Sequence, residues 1–273
     1  MTRSEVDLAI DWAEAEGWNP GVHDAECFYA ADPNGFLIGL VDNEPAAMVS
    51  AVAYGDSYGF MGFYIVKQQA RNLGYGTQLV DAGLQYLANR CIGADSVRPD
   101  LVSRHRPEFK SAYTNYRFRW IKNEQLSVNP EVAEISDAPF PMVLAYDSEV
   151  FGYSREIFLK TWISRPGSTA LCFVKDRKLA AYGVIRPCRQ GFKIGPLFAD
   201  NAELARTLFD ALTSGVQMGE QVFLDAPERN RDAVLLAESF GMTEVFRTAR
   251  MYAGREPAVP LQKWFGVTSF ELG

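Results

Sequence analysis

The chain is poor in histidine and cysteine. His23 and His105 are the only histidines, and Cys27, Cys91, Cys172 and Cys188 form no C-x-x-C pair. That spacing gives no basis for a zinc site, and no metal is expected. Free thiols in a reducing compartment are the default. No apolar run approaches the ~20 residues that a membrane helix needs. The opening stretch MTRSEVDLAIDWAEAEGW has no basic segment followed by an apolar block, so it does not read as a signal peptide. Basic excess is missing too, because the formal net charge is -7. That argues against nucleic acid or an anionic membrane as the main partner. Arg98, Arg104, Arg106 and Lys110 do crowd one stretch, which reads as a solvated face. The expectation is a cytoplasmic protein without nucleic-acid or membrane partners.

What is present is a globular composition, with 48% hydrophobic residues across 273 positions. At roughly 100–200 residues per domain, two domains are expected. Thr2 and Glu5 have capping-box spacing and open a helix that GWNPG (17–21) breaks. A short helix follows through VHDAECFYA. Strand-like runs at 36–42, 46–55 and 58–67 are spaced for antiparallel hairpins. From Gly76 onward, Leu79, Val80, Gly83, Leu84, Leu87 and Ala88 recur at three and four, which predicts a helix. A strand near 95–102, a helix over 107–116 and a strand over 117–123 are expected next. The polar, proline-punctuated segment 124–141 reads as the boundary, which divides the chain into residues 1–125 and 126–273. Beyond it a similar order returns: helices near 139–149 and 154–163, a hairpin about Arg177 and Lys178, then strand, helix, strand, helix, strand. The repeated order predicts an internal duplication.

The stretch YIVKQQARNLGYGTQLV joins an apolar strand to that long helix. Gly74 and Gly76 let an anion approach the main chain. Thr77 opens a helix whose first N–H groups lack partners and whose dipole end is positive. Arg71 adds charge beside the turn, so the segment builds a phosphate cradle. It is not a P-loop, because Thr77 and Gln78 follow the second glycine instead of Lys and Ser/Thr. It is not a dinucleotide fingerprint either, because Leu79 stands where the third glycine belongs.

Arg71-Asn72-Leu73-Gly74-Tyr75-Gly76 resembles the R/Q-x-x-G-x-G/A signature of the GNAT N-acyltransferase superfamily. The element order up to residue 123 is similar to that family as well. The chain looks most like tandem members, and DAPERNRDAVLLAESFGMTEVFRTARMY resembles the closing elements of a second, divergent unit. The resemblance implies an α/β (α+β) fold with two GNAT-like domains, each a mixed, mostly antiparallel sheet flanked by helices. It implies acetyl-CoA as cosubstrate, with the pyrophosphate on Arg71, Asn72, Leu73, Gly74, Tyr75, Gly76 and Thr77. Backbone N–H groups of Ile65 and Val66 would polarise the thioester carbonyl. In the second unit Gly195 is followed by Pro196 and no R-x-x-G-x-G occurs, so only the first unit is expected to hold acyl-CoA. The second would shape the acceptor pocket or stabilise the first.

The resemblance is thinner at the catalytic groups. The strand YGFMGFYIV carries no Asp or Glu to serve as base. Asp24 and Glu26 lie in the segment that lines the acceptor pocket in the family, and Asp24 is the candidate base. Aligned on Phe109, Arg104 stands where many relatives have an acidic tyrosine, and Glu108 replaces a glycine. Tyr113 is then the candidate acid, with Tyr116 and His105 nearby. The expected activity is transfer of an acetyl or short acyl group from CoA to a primary amine of a small molecule, the acidic chain slightly favouring cationic acceptors. Two rivals stand beside it. One is a non-catalytic acyl-CoA-binding or regulatory protein, and the other is an acetyltransferase acting on a protein lysine or N-terminus.

Overall fold

The structure, a computed structural model, describes residues 1–273. The first half runs α1 (Arg3–Ala15), α2 (Asp24–Ala31), β1 (Phe36–Val41), β2 (Glu44–Tyr54), β3 (Tyr58–Val66), α3 (Tyr75–Tyr86), β4 (Cys91–Ser96), α4 (Pro99–His105) and β5 (Phe109–Ile121). The Thr2–Glu5 capping box opens α1 as its spacing predicts. The second half runs β6 (Val132–Glu134), α5 (Phe140–Phe151), α6 (Glu156–Ser164), β7 (Thr169–Lys175), β8 (Lys178–Pro187), β9 (Phe192–Ala199), α7 (Ala202–Ser214), β10 (Gln221–Pro227), α8 (Arg231–Ser239) and β11 (Thr243–Ala253). A last strand, β12 (Trp264–Gly266), follows.

Two readings of the sequence need correction. The strand expected at 95–102 ends at Ser96, and α4 occupies 99–105. Residues 107–116 are not a helix but the first part of β5, one long strand. Its inward positions include Asn115 and Arg117, both buried, so the apolar alternation of a half-buried strand is broken by polar residues.

The two half-sheets are fused edge to edge into one sheet, ordered β1-β2-β3-β4-β11-β5-β10-β9-β8-β7-β6. Only β3–β4 and β9–β10 pair in parallel. Strand β11, from the second half, lies between β4 and β5, while β5, from the first half, lies between β11 and β10. The antiparallel β5–β11 pair is therefore the seam, and each half contributes the strand that completes the other. One face of the sheet carries a single apolar cluster shared by α1, α2, α5 and α6. The opposite face carries two separate cores, one around α3 and one around α7 and α8. No helix is long and apolar enough to cross a membrane.

Each half-sheet opens at the same place. Across β2–β3 the register shifts between Met48 and Ser50, so Phe63 and Tyr64 face Val49 alone. Across β8–β9 it shifts between Gly183 and Ile185, so Gly195 and Pro196 face Val184 alone. Such a bulge bends its strand away from the neighbour. Parallel pairing accordingly stops at Met61–Ala94 in one half and at Ile194–Leu224 in the other. Beyond these points the strands splay apart.

Candidate active site

The loop after β3 carries the stretch that the sequence marks as a phosphate cradle. Asn72 (φ 64°) and Gly74 (φ 85°) are left-handed, which wraps the main chain around the start of α3. No side chain caps that helix. The N–H groups of Tyr75, Gly76 and Thr77 have no partner in the chain, and residues 71–74 and Thr77 are exposed. An uncapped, solvent-facing N-terminus on a 12-residue helix suits a diphosphate. Gly76 is tight for another reason: a Cβ there would come within 2.9 Å of the Tyr64 ring. Arg71 does more than supply charge. Its Nε donates to Val66 O (2.9 Å) and its Nη2 to Glu16 Oε1 (2.6 Å), so it braces the loop against β3 and α1.

Ile65 and Val66 are not equivalent. Lys67 N–H donates to Ala46 O (2.9 Å) on the β2 side. Alternation along the strand then turns the Ile65 N–H toward β2 as well and the Val66 N–H toward the splay. Of the two donors expected from the sequence, only Val66 faces the opening.

The second half has no such cradle. Between β9 and α7 there are only Asp200 and Asn201, and the Asn201 side chain caps the helix by accepting from Leu204 N–H (3.0 Å). Its splay is filled by the chain itself. Trp264 pairs with Phe198 and Gly266 with Leu197, while Val267 N–H donates to Asp225 O (2.7 Å) on β10. Residues 264–273 are buried throughout and continue toward the first half. There Tyr54 Oη donates to Leu272 O (2.9 Å), and the Glu271 backbone lies against Gly62, where a Cβ would meet its carbonyl carbon at 2.9 Å.

Between the two splays Arg117, Arg165, Arg186 and Lys193 are buried together with Asp24, Asp225 and Glu271. The α1–α2 loop packs on this charged cluster and is held by the β8–β9 turn: Val22 N–H donates to Pro187 O (3.1 Å), Arg189 N–H to Pro20 O (3.1 Å) and Lys193 Nζ to Asn19 O (2.9 Å). Arg117 Nη1 donates to Trp18 O (2.6 Å) in the same loop. Arg165 and Arg186 lie over the Trp162 ring at 3.5 and 4.7 Å. One nitrogen of each, Arg165 Nη2 and Arg186 Nη1, is buried without a partner.

Asp24 belongs to this cluster but not as a free base. Its Oδ1 accepts from Arg165 Nη1 (2.7 Å) and Arg186 Nε (3.1 Å), and its Oδ2 accepts from Gly21 N–H (2.9 Å). Burial alone would raise its pKa, but Arg186, Arg165 and Lys193 together hold it below the ordinary value. A carboxylate so engaged fixes the loop and is a weak proton acceptor. Tyr113 sits on β5, paired with Arg250 of β11, and its hydroxyl is buried without a partner. Burial pushes its pKa well up, so it stays protonated. Asp95, just past the last β3–β4 pair, holds Arg250 by two bonds (3.0 and 2.8 Å) and sets Tyr113 at the level of the splay.

Arg117, Arg186, Lys193 and Glu271 carried no signal in the sequence. They lie on distant segments that only the shared sheet brings together.

Family models match both halves of the chain. The model of the acetyltransferase (GNAT) family matches residues 6–105. The model of an acetyltransferase (GNAT) domain matches residues 143–266. A holothin acyltransferase of Pseudoalteromonas sp. is 33% identical over 271 residues, covering 98% of this chain and 92% of that protein. In fold, a Pyrococcus horikoshii protein provisionally assigned as an acetyltransferase superposes with a TM-score of 0.83 at 21% identity, over 100% of this chain and 94% of that one. A tandem GNAT protein from the clavulanic acid biosynthesis pathway does so with a TM-score of 0.63 at 11% identity, covering 94% and 98%.

Proposed function

The chain belongs to the GNAT family as a tandem acyltransferase, and from that premise we propose that its first half transfers an acetyl or short acyl group from CoA to a primary amine of a small molecule. The observation that carries this reading is the uncapped start of α3 beside an open splay, set against a second half whose splay is filled.

In this reading the diphosphate of acyl-CoA binds the free N–H groups of residues 75–77, and the pantetheine arm lies along the open edge of β3. The Val66 N–H bonds to it there. The amine reaches the thioester from the side of the buried charged cluster, and Tyr113 protonates the leaving thiolate. The second half grips the α1–α2 loop over that side, which favours a small acceptor over a protein surface. The relative named for acyl transfer to holothin supports acyl transfer and leaves this chain's own acceptor to be identified. The chain's net charge does not set the acceptor preference, because four cations (Arg117, Arg165, Arg186, Lys193) accompany three carboxylates (Asp24, Asp225, Glu271) in the buried cluster.

The test is calorimetric titration of acetyl-CoA into the parent and into Gly74→Asp. A Cβ at Gly74 meets nothing within 4 Å, and aspartate tolerates a left-handed φ, so this variant places a carboxylate in the cradle at little structural cost. The expected result is binding by the parent, at least a tenfold loss in the variant with an unchanged melting temperature, and CoA thiol release with part of a primary-amine panel. A folded parent that does not bind acetyl-CoA ends the reading.

A further inference from the structure

The first-half strand that faces the thioester carries no carboxylate, so the amine's proton needs another acceptor. The buried acids are few, and nearly all are engaged. Asp24 is held by two arginines. Asp32 accepts from Ala53 N–H, Asn34 N–H and Tyr86 Oη. Asp95 is paired with Arg250. Asp147 is paired with Arg155 and accepts from Tyr182 Oη. Asp225 is paired with Arg117 by two 2.7 Å bonds. Glu271 is the exception. It is 4% exposed, and its carboxylate makes neither a hydrogen bond nor an ion pair. Its backbone rests on Gly62, next to the Phe63–Tyr64 bulge where the first-half splay opens.

We propose that Glu271, delivered by the segment that plugs the second-half splay, is the general base that deprotonates the acceptor amine at the first-half site. The assignment rests on the acyl-transfer reading above. The charged groups whose fields act on Glu271 are Lys193 of β9, Arg117 of β5, Asp24 of α2 and Arg186 of β8. Burial outweighs Lys193 and Arg117, and its pKa is raised. That shift makes it a better proton acceptor than an ordinary carboxylate.

A Glu271 Oε takes one proton from the ammonium, and the freed lone pair attacks the thioester carbonyl carbon. The C–N bond forms and the C–S bond breaks. The sulfur leaves as thiolate and takes up a proton, while the nitrogen gives up its second one. Amide, CoA thiol and protonated Glu271 remain, and the last releases its proton to solvent.

The test compares the full-length parent, Glu271→Gln and Glu271→Asp with acetyl-CoA and two acceptors. One is the best aliphatic primary amine from the panel, protonated at neutral pH, and the other is an aromatic amine of similar size, already neutral there. For Glu271→Gln the expected result is a fall of about 100-fold or more in kcat/KM with the aliphatic amine. The aromatic amine should change by no more than about fivefold, and the acetyl-CoA Kd should be unchanged. The acid limb of the parent's kcat/KM profile should disappear in Glu271→Gln and persist in Glu271→Asp. Glu271→Gln should also hold or raise the melting temperature at pH 7.5, since burial disfavours the charged carboxylate it removes. The assignment is overturned if Glu271→Gln keeps the aliphatic rate, or if both amines and acetyl-CoA binding fall together, which is the mark of a purely structural residue. A parent that binds acetyl-CoA yet acylates no amine overturns the acyl-transfer reading itself, and the base assignment with it.

Discussion

Arg117 and Asp225 meet across β5 and β10 through two 2.7 Å bonds, both side chains closed to solvent. Burial would raise the Asp225 pKa, but Arg117, with Lys193 and Arg186 beyond it, holds it below the ordinary range. Asp24 is lowered in the same way. A folded value below the unfolded one means the stabilisation is present above about pH 4 and is lost as pH falls through the folded values. The parent's melting temperature should therefore drop steeply below about pH 4. Asp225→Asn should flatten that limb and cost about 3–5 kcal/mol at pH 7, because it leaves the buried Arg117 charged and without its carboxylate partner. Thermal melts from pH 7 to 2.5 check this, and an unchanged midpoint for Asp225→Asn at pH 7 would contradict it. Tyr113→Phe makes a milder case. Its unpartnered hydroxyl carries no packing, so a fall in kcat of about 100-fold with a midpoint shift under about 2 °C is expected if it protonates the thiolate. These residues also show what the sequence could not reveal. Asn115 and Arg117 are inward-facing on β5, and their polarity disguised a strand as a helix followed by a shorter strand.

Local segments with their own chemistry were legible. The cradle reads from Arg71 to Thr77 because φ freedom, helix start and charge are all local properties of that stretch. The segment 264–273 was not legible, because nothing in WFGVTSFELG announces burial. It has neither period 2 nor period 3.6, and its partners lie on β2, β9 and β10. Its energetic role follows from what it hides. Trp264, Phe265, Val267, Phe270 and Leu272 are each at most 7% exposed. At about 1.5–3 kcal/mol per buried side chain they contribute roughly 7–15 kcal/mol. That matches the whole net stability of a typical domain, about 5–15 kcal/mol. Deleting residues 261–273 should therefore give a chain without a cooperative melt by circular dichroism. A truncated protein melting within a few degrees of the parent would show that the segment is dispensable. Gly62→Val tests the same element from the other side. Its side chain would strike the Glu271 backbone, so reduced stability is expected, with the start of α3 on the far side of the bulge left intact.

At the scale of the whole molecule, the duplication read from the repeated element order is real, but the two units are not independent. A cut at the boundary near residue 125 would leave the first half without β11, the strand that fills the gap between β4 and β5. The second half would lose β5, which pairs along β10 from Gln221 to Pro227. Each fragment would expose a long, unpaired sheet interior, a template for aggregation. The buried charged cluster depends on the same exchange, since Arg117 comes from β5, Lys193 from β9 and the α1–α2 loop is held by the β8–β9 turn. Residues 1–125 produced alone are thus expected to be insoluble or unfolded, and to bind no acetyl-CoA. The connecting segment is another matter. Residues 123–129 are mostly exposed and carry no strand or helix, so a protease site placed there should be cut without loss of structure. The nicked protein should elute from size exclusion as one species, melt in a single transition and bind acetyl-CoA as the parent does. If the two pieces separate and the first still folds and binds, the seam between β5 and β11 is a contact between finished domains and not the shared core inferred from the strand order.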